Sequence, residues 1–367
     1  MLQPATLADL PAFLCDPRCT ISESIRPVAR ENAMLQPATL ADLPAFLCAH
    51  AEDARAGTGC TVFIAPDGAT CGVDVRGGGP ATRETDLLKP ENMIQAVHGV
   101  VLSGGSAFGL AAATGVMDEL AARGIGFPVE SARVPIVVGA CLFDLLVGQN
   151  AHPDAAMGRA AARAAFEREA AEPLAEGNVG AGCGASVGKL LGGERAMKAG
   201  LGICGLRLGE LTACAVVAVN ALGNVRSADG AWIAGCRDGE GRVMDPLEAF
   251  GVLAQQAAAH AEQEADPAAG PCANTTIGVV LTNARLTKAQ ATKASSTVHD
   301  AYARAIKPVH TSGDGDTVFT FASGEVEADY DTFAILATEA MQGAVVRAVE
   351  QAEGAYGLPA ARDLVSC

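Results

Sequence analysis

Apolar positions alternate with polar ones in some stretches of the chain and recur every three or four residues in others, which separates strands from helices. The runs "CTVFIAP" and "CGVDVRG" predict two short strands joined by a turn at "DGAT". "AVHGVVLSGG" predicts a buried strand that closes in glycines. A helix follows, with Ser106 as its cap, Phe108, Ala111, Leu120 and Ala121 among its apolar positions, and Gly124 at its end. An alanine-rich helix is expected over about 153–172 and a glycine-dense loop over 177–193.

Further along, "AGLGICGLRLGELTACAVVAVNALGNV" reads as two or three strands separated by Gly and Asn turns. Asp245 and Pro246 have the cap and first-turn chemistry of a helix running to about Glu264. Periodicity lapses in "EQEADPAAGPCA", which is read as an internal linker. Beyond it "TTIGVVLTN" and "DTVFTFASG" are strands, and Leu286 to Ile306 and Thr332 to Glu350 are helices. Strands come in consecutive groups with helices between them. That favours packed sheets flanked by helices over one doubly wound sheet.

Half of the 367 residues are hydrophobic, so the chain can build a large core. A net charge of −16 repels phosphate backbones and anionic lipid, so neither nucleic acid nor a membrane surface is an expected partner. The longest apolar runs fall short of the ~20 residues that span a bilayer. The N-terminus also lacks a basic region followed by an apolar one. Twelve cysteines are scattered through the chain, which fits buried reduced thiols and a cytoplasmic location better than a disulfide framework. "MLQPATLADLPAFLC" at Met1–Cys15 recurs letter for letter at Met34–Cys48. Identity without a period through the chain reads as a duplicated leader rather than a structural repeat.

The stretch with the most chemistry is "PCANTTIGVV". In one reading Asn274 makes a turn and Thr275 begins a strand, as β-branched residues do. Asn274-Thr275-Thr276 also fits the glycosylation pattern, which requires a secretory route. In the third reading Thr275 attacks the carbonyl of Asn274 and hydrolysis releases a chain beginning at Thr275. Its α-amine, with an ordinary pKa of about 7.7 to 8.0, then takes the proton from its own hydroxyl.

"SGDGDTVFTF" places Asp314 and Asp316 two residues apart, so that in an extended segment both carboxylates address one site; the alternative is an Asp-Gly turn. A calcium loop fails for lack of later ligands. Around Lys189, "VGAGCGASVGKLLGG" fits dinucleotide spacing only loosely. It fails as a phosphate loop, since Cys183 stands where Gly is required and Leu190 where Ser or Thr is required. Asn220, where a strand gives way to a turn, is either a turn former or an amide donor for an oxyanion. The six histidines show no metal spacing, and there is no G-x-S-x-G elbow.

Taken in order, "RGGGPATRETDLL", "LSGGSAFGLAAATGVM", "GAGCGASVGK", "NTTIGVVLTNARL" and "DGDTVF" resemble the successive motifs of the L-aminopeptidase/D-esterase family, which includes β-peptidyl aminopeptidases and nylon-oligomer hydrolases. The resemblance runs from about Gly57 to the C-terminal region. It implies an α/β fold, a four-layer α/β/β/α sandwich, cut autocatalytically into associated chains that assemble as a tetramer of cleaved pairs. Thr275 then matches the nucleophile, Asn274 the residue before the cut, and Asn220 the oxyanion-side Asn. Lys189, Asp314 and Asp316 match the Lys and Asp-x-Asp of the nylon-oligomer branch. Phe143 stands where characterised members carry Tyr.

The expected organisation is a leader or poorly ordered segment over 1–48 and one hydrolase domain over 49–367, cut into 1–274 and 275–367. The expected activity is hydrolysis of amide bonds in small peptides, amino-acid amides or amino-acid oligomers through an acyl-enzyme, without metal or organic cofactor. The alternatives are a self-cleaving acyltransferase resembling the ornithine acetyltransferases and, from another class, a nucleotide-binding module on the Gly180 loop.

Overall fold

The computed structural model describes residues 35–169, 171–260 and 274–364. One ten-stranded sheet system runs through the chain as β1 (Leu35–Ala38), β2 (Leu47–Asp53), β3 (Thr58–Val75), β4 (Ala81–Arg83), β5 (Val97–Ser103), β6 (Val137–Cys141), β7 (Leu201–Leu208), β8 (Leu211–Asn220), β9 (Thr275–Ala284) and β10 (Thr317–Val326). The longer helices among the described residues are α1 (Ala111–Ala122), α2 (Ala155–Glu167), α3 (Pro246–His260), α4 (Lys288–Ala305) and α5 (Tyr330–Glu350).

Strand order is β1-β7-β8-β9-β10-β3-β5-β6-β4, with β2 also paired to β3. The long β3 belongs to two sheets. Its first half pairs with β2 and β5, and its second half with β10. The predicted hairpin at "DGAT" is therefore a single strand. Asp67 and Gly68 do not reverse the chain: the register against β5 slips between Ile64 and Ala69, with Gly68 at φ 78°, and the strand passes from one sheet to the other.

Three cores follow from the alternation of side chains on these strands. Phe63, Val100, Leu102 and Val138 meet Val216, Ile277, Val279 and Phe319 between the sheets. Val217, Val219 and Val280 face outward and pack under Val298 and Tyr302 of α4 and Phe333 and Met341 of α5. Val62 and Val101 face the other way, under Val116 and Leu120 of α1 and Ala161 of α2. The result is the expected α/β/β/α sandwich. Strands β8 and β9 are apolar on both faces because each has a core on both sides.

Several expectations shift. The boundary at residue 48 moves to 35, because β1 pairs with the edge of β7 and Leu43 and Phe46 enter the inter-sheet core. Residues 1–34, and the whole of the linker "EQEADPAAGPCA", lie outside the described residues. Ser106 does not cap a helix. It has φ 53° and opens a 3-10 turn, Ser106–Leu110, with no side-chain cap, and Phe108 is exposed. The alanine-rich helix is shorter than predicted: the carboxylate of Asp154 takes the N–H of Met157 and starts it at Ala155, and it ends at Glu167, where Arg168 turns extended. Eight cysteines among the described residues are free, and seven of them are buried. No described helix is long and apolar enough to cross a membrane.

Candidate active site

Thr275 opens β9 directly opposite Asn220, the last residue of β8. Its side chain shares the face of Ile277 and Val279, between the sheets, while Thr276 faces α4. Both Thr275 and Asn220 are buried. The Thr275 hydroxyl donates to the carbonyl oxygen of Asn274 at 2.5 Å, and the N–H of Gly315 donates to the same oxygen at 2.9 Å. Two donors thus sit on the oxygen that would carry charge if Oγ1 of Thr275 added to the carbonyl carbon beside it.

The loop over 311–316 is held in place by the "RGGG" segment. Arg76 N–H donates to Asp316 O and Gly79 N–H to Asp314 O, both at 2.8 Å. A Cβ at Gly77 would stand 2.4 Å from Asp314 O, and one at Gly78 2.3 Å from Ser312 O. Only residues without side chains allow backbones to run this close. At Gly315 a Cβ would stand 2.9 Å from Thr275 Oγ1.

The two carboxylates do not share one face as an extended segment would require, because β10 begins only at Thr317. Asp316 takes the N–H of Thr276 on Oδ1 at 2.7 Å, and on Oδ2 the N–H and Nδ1 of His310 at 3.1 and 2.8 Å. Asp314 takes the N–H of Thr311 at 2.6 Å, which closes the turn. They still feel each other. Burial first, and then the charge of Asp316, push Asp314 up to about 6.

On the other side of Asn220, its Oδ1 accepts from Lys189 Nζ at 2.7 Å and from Ser186 N–H at 3.1 Å, while Nδ2 donates to Phe143 O at 2.8 Å. Lys189 Nζ also donates to Asn220 O at 3.1 Å. Held by its oxygen, the amide has a second N–H on Nδ2 beyond the one given to Phe143 O. Beside it opens a cavity of ≈ 320 Å³ lined by Phe143, Asp144, Ser186, Lys189, Glu194 and Tyr356, among others. Asp144 accepts from Gly105 N–H at 2.6 Å and from Thr58 Oγ1 at 2.8 Å, and burial pushes it up to about 6. The fully buried Lys198 donates to Gly182 O at 3.2 Å, Ala185 O at 2.9 Å and Ala199 O, and so ties down the loop that presents Ser186; burial lowers it to about 7.

Every residue expected from the sequence thus falls in one connected group: Asn274, Thr275, Asn220, Lys189, Asp314 and Asp316. His310, Gly315, Asp144, Ser186 and Lys198 join them without having been expected. His310 lies six residues before Asp316, and that spacing carries no sequence signal for the contact between them. The Gly180 loop offers no phosphate cradle. The N–H groups of Gly180, Ala181, Gly182, Cys183 and Ala185 are taken by Glu52, Thr61, Val179, Gly180 and Gly182. Among the described residues no group of three or more His, Cys, Asp or Glu could hold a metal ion.

Residues 39–361 match Peptidase family S58. The chain is 42% identical over 276 residues to an uncharacterized aminopeptidase of Mycobacterium leprae, covering 74% of this chain and 72% of that one. It is 32% identical over 285 residues to the 6-aminohexanoate-oligomer endohydrolase of Paenarthrobacter ureafaciens, covering 76% and 72%. Among solved structures, the beta-aminopeptidase of a Burkholderia species superposes with a TM-score of 0.62 at 18% identity, covering 90% of this chain and 94% of that one. The L-aminopeptidase D-Ala-esterase/amidase of Ochrobactrum anthropi, a variant of the Ntn hydrolase fold, gives 0.59 at 16% identity, covering 87% and 88%. At such identities these two show the fold alone.

Proposed function

The chain belongs to peptidase family S58 and is a hydrolase of peptide or amide bonds; from that premise we propose that it matures by cutting itself before Thr275 and then works as an N-terminal threonine hydrolase. In the first step Oγ1 of Thr275 adds to the carbonyl carbon of Asn274, and the Gly315 N–H stabilises the oxyanion. Collapse breaks the C–N bond. The proton from the hydroxyl goes to the departing amine, and an ester joins Asn274 to Oγ1. Water hydrolyses that ester, leaving a carboxylate on Asn274 and a free amine on Thr275.

In turnover the same hydroxyl attacks the substrate carbonyl and the new amine takes its proton. Asn220, held by Lys189 and Ser186, supplies the oxyanion donor from Nδ2. The leaving amine is protonated, an acyl-threonine forms, and water clears it. The adjoining cavity is sized for a small acyl group, so small peptides, amino-acid amides and amino-acid oligomers are the substrates this reading assigns.

The observation that carries the reading is the 2.5 Å contact of Thr275 Oγ1 with Asn274 O, shared with Gly315 N–H. Purified protein should run as two chains on a denaturing gel, the smaller beginning at Thr275, and Thr275→Ala should stay whole and inactive on amide substrates. A wild type that is intact and fully active sinks the mechanism. Transfer of the acyl group to an added amine in excess of hydrolysis would reassign the enzyme to the acyltransferases.

A further inference from the structure

We propose that His310 is a positioning residue that acts on the nucleophile through Asp316; the inference rests on the reading of Thr275 given above. The backbone N–H and Nδ1 of His310 both meet Oδ2 of Asp316, at 3.1 and 2.8 Å, while Oδ1 of the same carboxylate takes the Thr276 N–H at 2.7 Å. One side chain therefore bridges the loop over 310–316 and the peptide unit that directly follows Thr275. A carboxylate accepts but does not donate, so Nδ1 of His310 carries the proton.

The histidine itself is held with care. Its φ is 57°, a left-handed value uncommon outside glycine, and in that conformation its backbone N–H and its ring converge on one oxygen. Its ring meets His299 edge-on, with centroids 4.8 Å apart, and His299 Nε2 is anchored on Asp74 O at 3.0 Å. The ring of Tyr302 lies 6.2 Å away on the same helix as His299. With its torsions fixed by three donors, Asp316 sets the plane of the Thr275–Thr276 peptide and hence the direction in which the Thr275 side chain leaves the backbone. Without the imidazole, Oδ2 retains only one backbone donor and the buried anion can turn.

Neither His310 nor Asp316 lines the cavity beside Lys189. Because they act through the Thr275–Thr276 peptide, their effect is placed in the chemical steps, so kcat and KM separate positioning from a general packing role. In His310→Leu, the rate at which the chain beginning at Thr275 appears, and kcat of whatever matures, should each fall about 10²-fold, with KM within about twofold. His310→Asn keeps an N–H donor near the Nδ1 position and tolerates a left-handed backbone, so it should recover about tenfold of that loss.

Wild-type processing and kcat in His310→Leu would overturn the proposal, as would an Asn variant whose kcat is no better than that of the Leu variant. The Asn variant also decides alone should the Leu variant not accumulate: an intermediate kcat at unchanged KM supports positioning, and wild-type kcat at altered KM refutes it. Thr275→Ala, run in parallel, keeps the two readings apart. If it is still cut and active, the nucleophile assignment falls whatever His310 does; if it is dead while His310→Leu is normal, only the role of His310 falls.

Discussion

Gly315→Ala separates the position of the hydroxyl from the donor that faces the scissile carbonyl, because alanine keeps the backbone N–H. The added Cβ would stand 2.9 Å from Gly79 O and 2.9 Å from Thr275 Oγ1, with Pro80 Cα at 3.1 Å. Carbon and carbonyl oxygen normally approach no closer than about 3.3 Å, so each oxygen has to retreat by roughly 0.4 Å. Gly79 is tied by its N–H to Asp314 O and cannot give easily. The Thr275 hydroxyl can, by turning about χ1 and leaving the carbonyl of Asn274. Overpacking of this kind costs about 1–3 kcal/mol, and a nucleophile displaced by part of an ångström loses on the order of 10² in rate. The variant should therefore fold, with a somewhat lower melting temperature, and accumulate as uncut chain. The assay is a denaturing-gel time course after synthesis, with the N-terminus of the smaller band sequenced. If Gly315→Ala is cut within about twofold of the wild-type rate while its melting temperature has fallen, the crowding is real and the inferred attack geometry is wrong.

Two further outcomes follow from the buried groups around Asn220. Asp144 is held at about 6 against 3.8 in the open chain, so the folded state keeps a proton that the unfolded chain has lost between those values. The stabilisation this gives is full below about pH 4 and drains away as pH rises through 6. Asp144→Asn cannot ionise, and the melting-temperature difference between wild type and variant should move in favour of the variant from pH 4.5 to 7.5; a constant difference would contradict the burial argument. Phe143→Tyr adds a hydroxyl to a ring that lines the cavity beside Asn220, and one net hydrogen bond of about 1 kcal/mol in the transition state should raise kcat/KM about fivefold on small amides. An unchanged or lower value would mean that the cavity has been reshaped around the phenylalanine.

Packed sheets flanked by helices were legible because strand runs and helix runs differ in period, and the four-layer order was what the family resemblance implied; β8 and β9 are buried at every position, as strands with a core on each face are. The leader boundary rests on more than local sequence, since the two copies are identical letter for letter: the second pairs through the edge of β7, and the first lies outside the described residues. "DGAT" carried every local sign of a hairpin, yet the chain runs straight through it because both halves of β3 gain a partner strand in a different sheet. Among site residues, Thr275 and the Asp pair each had a plain turn reading on local chemistry alone, and the order of the motifs along the chain singled them out. That Asn220 lies opposite Thr275 depends on the register between strands that are distant in sequence. The grip of His310 on Asp316 depends on a left-handed backbone that no periodicity encodes.

On the proposed mechanism, the groups needed for turnover are already in place in the uncut chain but committed. The hydroxyl of Thr275 is spent on Asn274 O, its nitrogen is an amide with no basicity, and Gly315 N–H faces the same carbonyl. Asn274 is itself fixed by its N–H on Gly313 O and its bridge to Asp314, so the bond presented to the hydroxyl is the one the loop holds still. The contacts that favour attack on that bond are therefore those that deny an external substrate the nucleophile. Breaking it removes both obstacles together: the nitrogen becomes a base, and once the Asn274 carboxylate withdraws, the hydroxyl and the Gly315 donor face the space it filled. On the proposed mechanism maturation is then not a separate regulatory event laid over the enzyme. It is the first turnover, performed on the one carbonyl that the fold positions for it.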